Sequence, residues 1–140
     1  MINNGVQDTP APPRILIMED NLDLLRLFSK ALQNAGYDVN TASTLEEART
    51  RLLQSRFDLL LCDIHIGERR GTDLLCEQID SLRAQGTEVV VVSVDTHYRP
   101  LCQDLGIDFY LEKPVSVRQL VQLVKRLLSV PSRDNAMPMR

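Results

Sequence analysis

Glu19, Asp20, Asp63, Ser93 and Lys113 are the residues of this chain whose types and spacing could do chemistry together. Each stands at or just past the end of an apolar run. Ile15-Leu16-Ile17-Met18 precedes the acid pair, Leu59-Leu60-Leu61-Cys62 precedes Asp63, Val89-Val90-Val91-Val92 precedes Ser93, and Phe109-Tyr110-Leu111 comes shortly before Lys113. Three carboxylates gathered in one cleft repel one another and rise above their ordinary pKa values unless a cation intervenes. An oxygen-only donor set with room for water suits Mg²⁺, with Mn²⁺ as a substitute. A lysine and a hydroxyl in the same cleft add donors for an anion, most naturally a phosphoryl group. Together these are the parts for phosphoryl transfer to an aspartate.

Taken singly, each residue has a plainer reading. An acidic pair before a helix often only stabilises the helix dipole. An Asp after an apolar strand is more often a turn or cap residue. Lys113 before Pro114 would ordinarily be a solvated lysine, and Ser93 a strand-end hydroxyl. The chemical reading requires all of them to reach one edge of one sheet, and the order of elements supplies that.

Residues 1–13, with Gly5 and Thr9-Pro10-Ala11-Pro12-Pro13, cannot build a core and read as a flexible leader. Arg14 to Met18 is a short strand. From Asn21 the apolar positions Leu24, Leu27, Phe28, Ala31 and Ala35 recur at helical spacing, and Gly36 supplies the stop. Tyr37 to Ala42 is a mixed strand. Thr44 and Glu47 match a capping box for a helix carrying Leu45, Ala48 and Leu52. Phe57 to Cys62 is the central strand. After Asp63 a loop reaches Gly71, and Thr72 or Asp73 can cap a helix carrying Leu75, Ile79 and Leu82, closed by Gly86.

Glu88 to Ser93 is the most β-branched run and reads as a strand. Pro100 to Leu105 is a short helix with Pro in its first turn, and Ile107 to Leu111 a last strand. Ser116 and Gln119 form a second capping box, opening a helix with the stripe Leu120, Val121, Val124, Leu127 and Leu128. Residues 130–140 read as a flexible tail, so one domain spans 14–129.

Five βα repeats demand a parallel sheet covered by helices on both sides. The continuous apolar runs are buried strands and the mixed second and fifth are edges. The order 2-1-3-4-5 satisfies this, giving a doubly wound (βα)5 flavodoxin-like α/β sandwich with Glu19, Asp20 and Asp63 at its switch point.

Composition narrows the class. At 140 residues and 44% hydrophobic content, the chain is long enough for one domain with a core. A net charge of −3 gives no basic footprint for nucleic acid. No apolar run approaches the ~20 residues of a membrane span, and no signal peptide opens the sequence. Cys62, Cys76 and Cys102 lack disulfide or zinc-ligand spacing and read as small core hydrophobes in a reduced, cytoplasmic protein. Cys62 beside Asp63 is a candidate oxidation-sensitive neighbour.

Over about residues 14–129 the chain resembles the receiver domain of two-component response regulators. The matching features are Glu19-Asp20, Asp63, Gly71 eight positions later, Ser93 and Lys113-Pro114. The resemblance implies that Asp63 accepts a phosphoryl group from a phosphohistidine on a sensor histidine kinase or phosphotransfer protein. It implies that Glu19, Asp20, Asp63 and the backbone carbonyl of His65 hold Mg²⁺. It further implies that Lys113 pairs with a phosphoryl oxygen, that Ser93 moves inward to the phosphate, and that Tyr110 turns into the vacated space. The signal would leave through the short fourth helix, fifth strand and last helix to an unidentified output protein. Such a domain is not an enzyme beyond assisting its own phosphotransfer and dephosphorylation.

Several positions depart from the family pattern. The segment from Ser93 to Lys113 is about two residues short and contains Pro100, which predicts a short or displaced fourth helix. Val94 stands where the family prefers a very small residue. Gly67 replaces the usual proline four residues after the phosphoacceptor and should loosen that loop. His65 and Asp95, two positions beyond Asp63 and Ser93, flank the path of attacking water and are candidates for tuning the phosphate lifetime. Gln119 and Leu123 argue against the transcription-factor subgroup's dimer, leaving a monomer or another phosphorylation-dependent dimer.

Only eleven residues follow Ser129, too few for an appended output domain, so output is expected through partner binding. Two alternatives stand beside this reading. One is a pseudo-receiver acting as a phosphate-independent interaction module. The other is an aspartyl-phosphate phosphohydrolase, disfavoured because the position of its general acid is His65.

Overall fold

The computed structural model describes residues 10–129. Most of the leader expected over 1–13, and all of the tail expected over 130–140, lie outside the described residues. Strands β1 (Arg14–Met18), β2 (Asp38–Ala42), β3 (Leu59–Asp63), β4 (Glu88–Ser93) and β5 (Phe109–Glu112) form one parallel sheet in the order β2-β1-β3-β4-β5. Between and after them run helices α1 (Leu22–Asn34), α2 (Leu45–Gln54), α3 (Gly71–Ala84), α4 (Arg99–Asp104) and α5 (Val117–Leu128). The doubly wound α/β fold and its strand order are those that the sequence predicts. Among the described residues no helix is long and apolar enough to cross a membrane.

Alternation along the strands sorts the core into two layers. Leu16, Met18, Leu60, Cys62 and Val91 pack with Ala48, Leu74, Leu75 and Cys102 of α2, α3 and α4. Ile15, Ile17, Leu59, Leu61, Val90 and Val92 pack with Leu25, Phe28 and Leu32 of α1 and Leu120 and Val124 of α5.

Local details differ from the sequence expectation. The buried face of α1 is Leu25, Phe28 and Leu32, whereas Leu27 is 51% exposed. Leucines surround this helix, so two stripes sharing Phe28 fit its period, and contact with the sheet selects one. β3 covers Leu59–Asp63, starting two residues later and ending one residue later than the sequence expectation; just ahead of it the Asp58 carboxylate accepts from the Arg14 amide at 2.7 Å. β5 starts at Phe109 rather than Ile107, whose amide still bonds the Cys102 carbonyl at the end of α4. Cys76 is exposed, unlike Cys62 and Cys102, because it lies on the outer face of α3.

The loop after Asp63 carries regular backbone pairing. It forms a two-residue antiparallel hairpin, His65–Ile66 against Arg69–Arg70. The hairpin runs straight into α3, so neither Thr72 nor Asp73 caps that helix, and the N-cap Arg70 makes no side-chain capping bond. Gly71 is the joint: its amide donates to the Ile64 carbonyl at 2.5 Å. A Cβ on Gly71 would collide with the Asp63 carbonyl oxygen. Gly71→Ala is therefore expected to destabilise the fold by about 1–3 kcal/mol through overpacking, as measured by urea unfolding. A stability equal to wild type would show that the backbone beside Asp63 can yield.

Candidate functional site

The sheet brings the strand ends together. Glu19 follows β1 in register, its amide donating to the Ala42 carbonyl at 3.0 Å. The Lys113 amide donates to the Ser93 carbonyl at 2.9 Å and so extends the pairing of β5 with β4. From that anchor the Lys113 ammonium reaches across the cleft to Glu19 Oε1 at 2.9 Å and Asp63 Oδ2 at 2.8 Å. The peptide bond after Lys113 is cis. Glu19 Oε2 accepts from the amide of Asn21, which caps α1 with its own side chain. Asp63 Oδ1 accepts from the His65 amide at 3.2 Å. Asp20 lies at the solvent edge, and its Oδ2 accepts from the Gly67 amide at 2.7 Å.

Burial governs the charge balance. Glu19 and Asp63 are only 3% and 7% exposed. Burial pushes the Glu19 carboxyl above its ordinary pKa, and hydrogen bonds from Lys113 and Asn21 only partly offset it. Repulsion from Asp63 is a smaller contribution than the sequence argument assigns to it. Burial works against the Lys113 charge too, but the Asp63 and Glu19 carboxylates outweigh it and hold the lysine above its usual value. Ion pair and burial thus oppose one another at both groups, with burial prevailing at Glu19 and the ion pairs at Lys113.

The carboxylates of Glu19, Asp20 and Asp63 each place one oxygen within 4.8 Å of the others. Three hard oxygen donors at this spacing suit a small divalent cation such as Mg²⁺. Ser93 is fully buried; its hydroxyl oxygen accepts from the Asp95 amide at 3.2 Å, and the hydroxyl also hydrogen-bonds with that of Tyr110. Tyr110 is already buried, its hydroxyl donating to the Asp95 carbonyl and its ring lying under the Arg99 guanidinium at 4.8 Å. Val94 is 69% exposed.

His65 and Asp95, singled out separately in the sequence, meet: His65 Nε2 lies 3.3 Å from Asp95 Oδ2. The register of β3 against β4 brings the two strand ends together, and the side chains reach across one residue out of step. Asp95 also caps the short turn Thr96–Tyr98, and the His97 amide, followed by His65, draws its carboxyl below the ordinary range. Cys62 is buried, with a thiol pushed far above its usual pKa by desolvation, so it is a core side chain and not an oxidation-sensitive one. Two ties have no sequence signature: Gly67 to Asp20, and Arg70 Nε to the Tyr98 hydroxyl at 2.5 Å.

A family model described as the response regulator receiver domain matches residues 15–125. The chain belongs to that family. The alginate biosynthesis transcriptional regulatory protein AlgB of Pseudomonas putida is 34% identical over 121 residues, covering 84% of this chain and 26% of that protein. The alkaline phosphatase synthesis transcriptional regulatory protein PhoP of Bacillus subtilis is 29% identical over 116 residues, covering 82% of this chain and 48% of that one. This receiver domain therefore spans about a quarter to a half of the curated relatives it matches. Among solved structures, a CheY-like receiver domain protein from Methanospirillum hungatei superimposes with a TM-score of 0.78 at 27% identity, covering 89% of this chain and 99% of that one. The response regulator TrrA of Thermotoga maritima, in complex with Mg²⁺-BeF, gives 0.73 at 27% identity, covering 83% and 99%.

Removal of the cation in this receiver domain leaves two buried carboxylates facing each other. The stability contributed by a carboxyl whose folded pKa is raised is present below its ordinary value and lost as pH rises through the folded value. Lys113→Met raises that folded value further. The variant is expected to lose about 3 kcal/mol at neutral pH, with the deficit shrinking as pH falls through the raised Glu19 value and that carboxyl takes up a proton. Denaturant melts across pH check this; a deficit independent of pH would contradict it.

Proposed function

We propose that this receiver domain is a phosphorylation-dependent signalling switch with Asp63 as its phosphoacceptor. The observation that carries the reading is the Asp63 carboxylate at a strand end, beside two further acids, with one oxygen on the Lys113 ammonium at 2.8 Å. A phosphohistidine on a sensor histidine kinase or phosphotransfer protein would be the donor. Its P–N bond breaks as an Asp63 oxygen bonds to phosphorus, and the imidazole leaves with its electron pair. Glu19, Asp20, Asp63 and the His65 carbonyl would hold Mg²⁺, which offsets the charge gathering on the phosphoryl oxygens. Lys113 would donate to one of those oxygens, and the Ser93 hydroxyl would donate to another by leaving its contact with Tyr110. The protein assists its own phosphotransfer and dephosphorylation and is not otherwise an enzyme.

Phosphorylation adds roughly −1.5 to −2 of charge. The inward Tyr110, held on the Asp95 carbonyl, supports a switch that favours an arrangement already accessible instead of creating a new one. Output leaves through α4, β5 and α5 to a partner protein in the cytoplasm, as a monomer or as a dimer formed on phosphorylation. With Mg²⁺ and acetyl phosphate, wild type should gain one phosphate by intact mass and Asp63→Asn none. Rapid turnover of the donor would instead indicate a phosphohydrolase, and no modification of wild type a pseudo-receiver.

The 3.3 Å contact of His65 with Asp95 supports a role for the pair in slowing the approach of water to phosphorylated Asp63. His65→Ala and Asp95→Ala should each speed loss of phosphate by a few-fold, as expected for an exposed pair of modest strength. Unchanged decay of the labelled protein in both variants would remove the pair from this role.

A further inference from the structure

Gly67 and Glu68 are the two turn residues of the hairpin after Asp63, and Gly67, the first of them, has a φ of 61°. Primed hairpin turns require a positive φ at this position. Glycine adopts it without strain, whereas proline, fixed near −65°, cannot. The amide of the first turn residue lies outside the hairpin's own ladder. Here it is directed instead at Asp20 Oδ2, 2.7 Å away and 47 positions distant in sequence.

That amide is delivered by a braced element. Arg69 is tied to Glu46 of α2 at 2.7 Å, Arg70 to Tyr98 at 2.5 Å and His65 to Asp95 at 3.3 Å. Glu19 and Asp63 are buried and share Lys113. Asp20 stands at the solvent edge, where an unrestrained Asp would sample several rotamers. A charge-assisted N–H···O bond at this distance fixes the plane of its carboxylate.

We propose that the Gly67 backbone amide is a positioning group for Asp20, holding Oδ2 so that the other oxygen is presented to a divalent cation shared with Glu19 and Asp63. The proposal rests on the metal-binding reading given above. Outer partners that orient metal ligands commonly account for about 10–100-fold in affinity, and a single amide on an exposed acid belongs near the lower end, about tenfold.

Two variants separate the amide from the turn. Gly67→Pro removes the N–H and forbids the φ; Gly67→Asn keeps the N–H and tolerates the left-handed region. Mg²⁺ titrated into unphosphorylated protein by calorimetry should bind about tenfold more weakly to Gly67→Pro and as in wild type to Gly67→Asn. Without Mg²⁺, the Gly67 amide should be protected from hydrogen exchange in wild type and lose that protection in Asp20→Ala. Equal Mg²⁺ affinity of wild type and Gly67→Pro would overturn the proposal. So would equal weakening in both variants, which would assign the effect to the hairpin as a whole, or an amide indifferent to Asp20→Ala. Wild type that binds no Mg²⁺ would bring down the metal-binding reading itself, an outcome distinct from all of these.

Discussion

The Lys113 ammonium, lodged between Glu19 and Asp63, is the interaction on which the strand ends depend. Two carboxylates cannot sit buried side by side without a cation, because each loses hydration and each raises the other's proton affinity. The sheet makes the contact possible: β1, β3 and β5 are separate strands, yet backbone bonds from Glu19 and Lys113 carry their pairing one residue past the formal strand ends. The side chains therefore begin from fixed points. Any cation taken up by the acids competes with Lys113 for the same oxygens. Any anion added to Asp63 gives Lys113 a new partner in exchange for Glu19. A set of charges balanced this closely responds to one added group without needing a new fold.

Legibility in the sequence follows how each feature is encoded. The strand order was readable because buried parallel strands must be apolar throughout, and Leu59 to Cys62 and Val89 to Val92 satisfy that with no competing period. The five site residues were readable because they punctuate those runs. The face of α1 was not, since leucines at 22, 24, 25, 27 and 32 support more than one stripe and only the sheet selects between them. The hairpin escaped for a different reason. Its ladder is two residues long, below the length at which alternation can be recognised, and its contact with Asp20 comes from a backbone amide that no side chain advertises.

His65 and Asp95 fall between these cases. Each was found from its own offset, but their pairing does not follow from the register of β3 against β4, which carried on two residues sets His65 opposite Val94; the side chains close the remaining step.

α4 holds six residues, Arg99–Asp104, a rod about 9 Å long. Just before its first turn stands Tyr98, gripped by Arg70. Just past its last turn the Leu105 carbonyl accepts from the Arg83 guanidinium of α3. A rod this short, riveted at both ends to the neighbouring layer, has little leverage. It cannot swing as a longer helix could, so what varies at this surface is which side chains it displays, with Tyr110 and Arg99 stacked at its root as the parts left to shift.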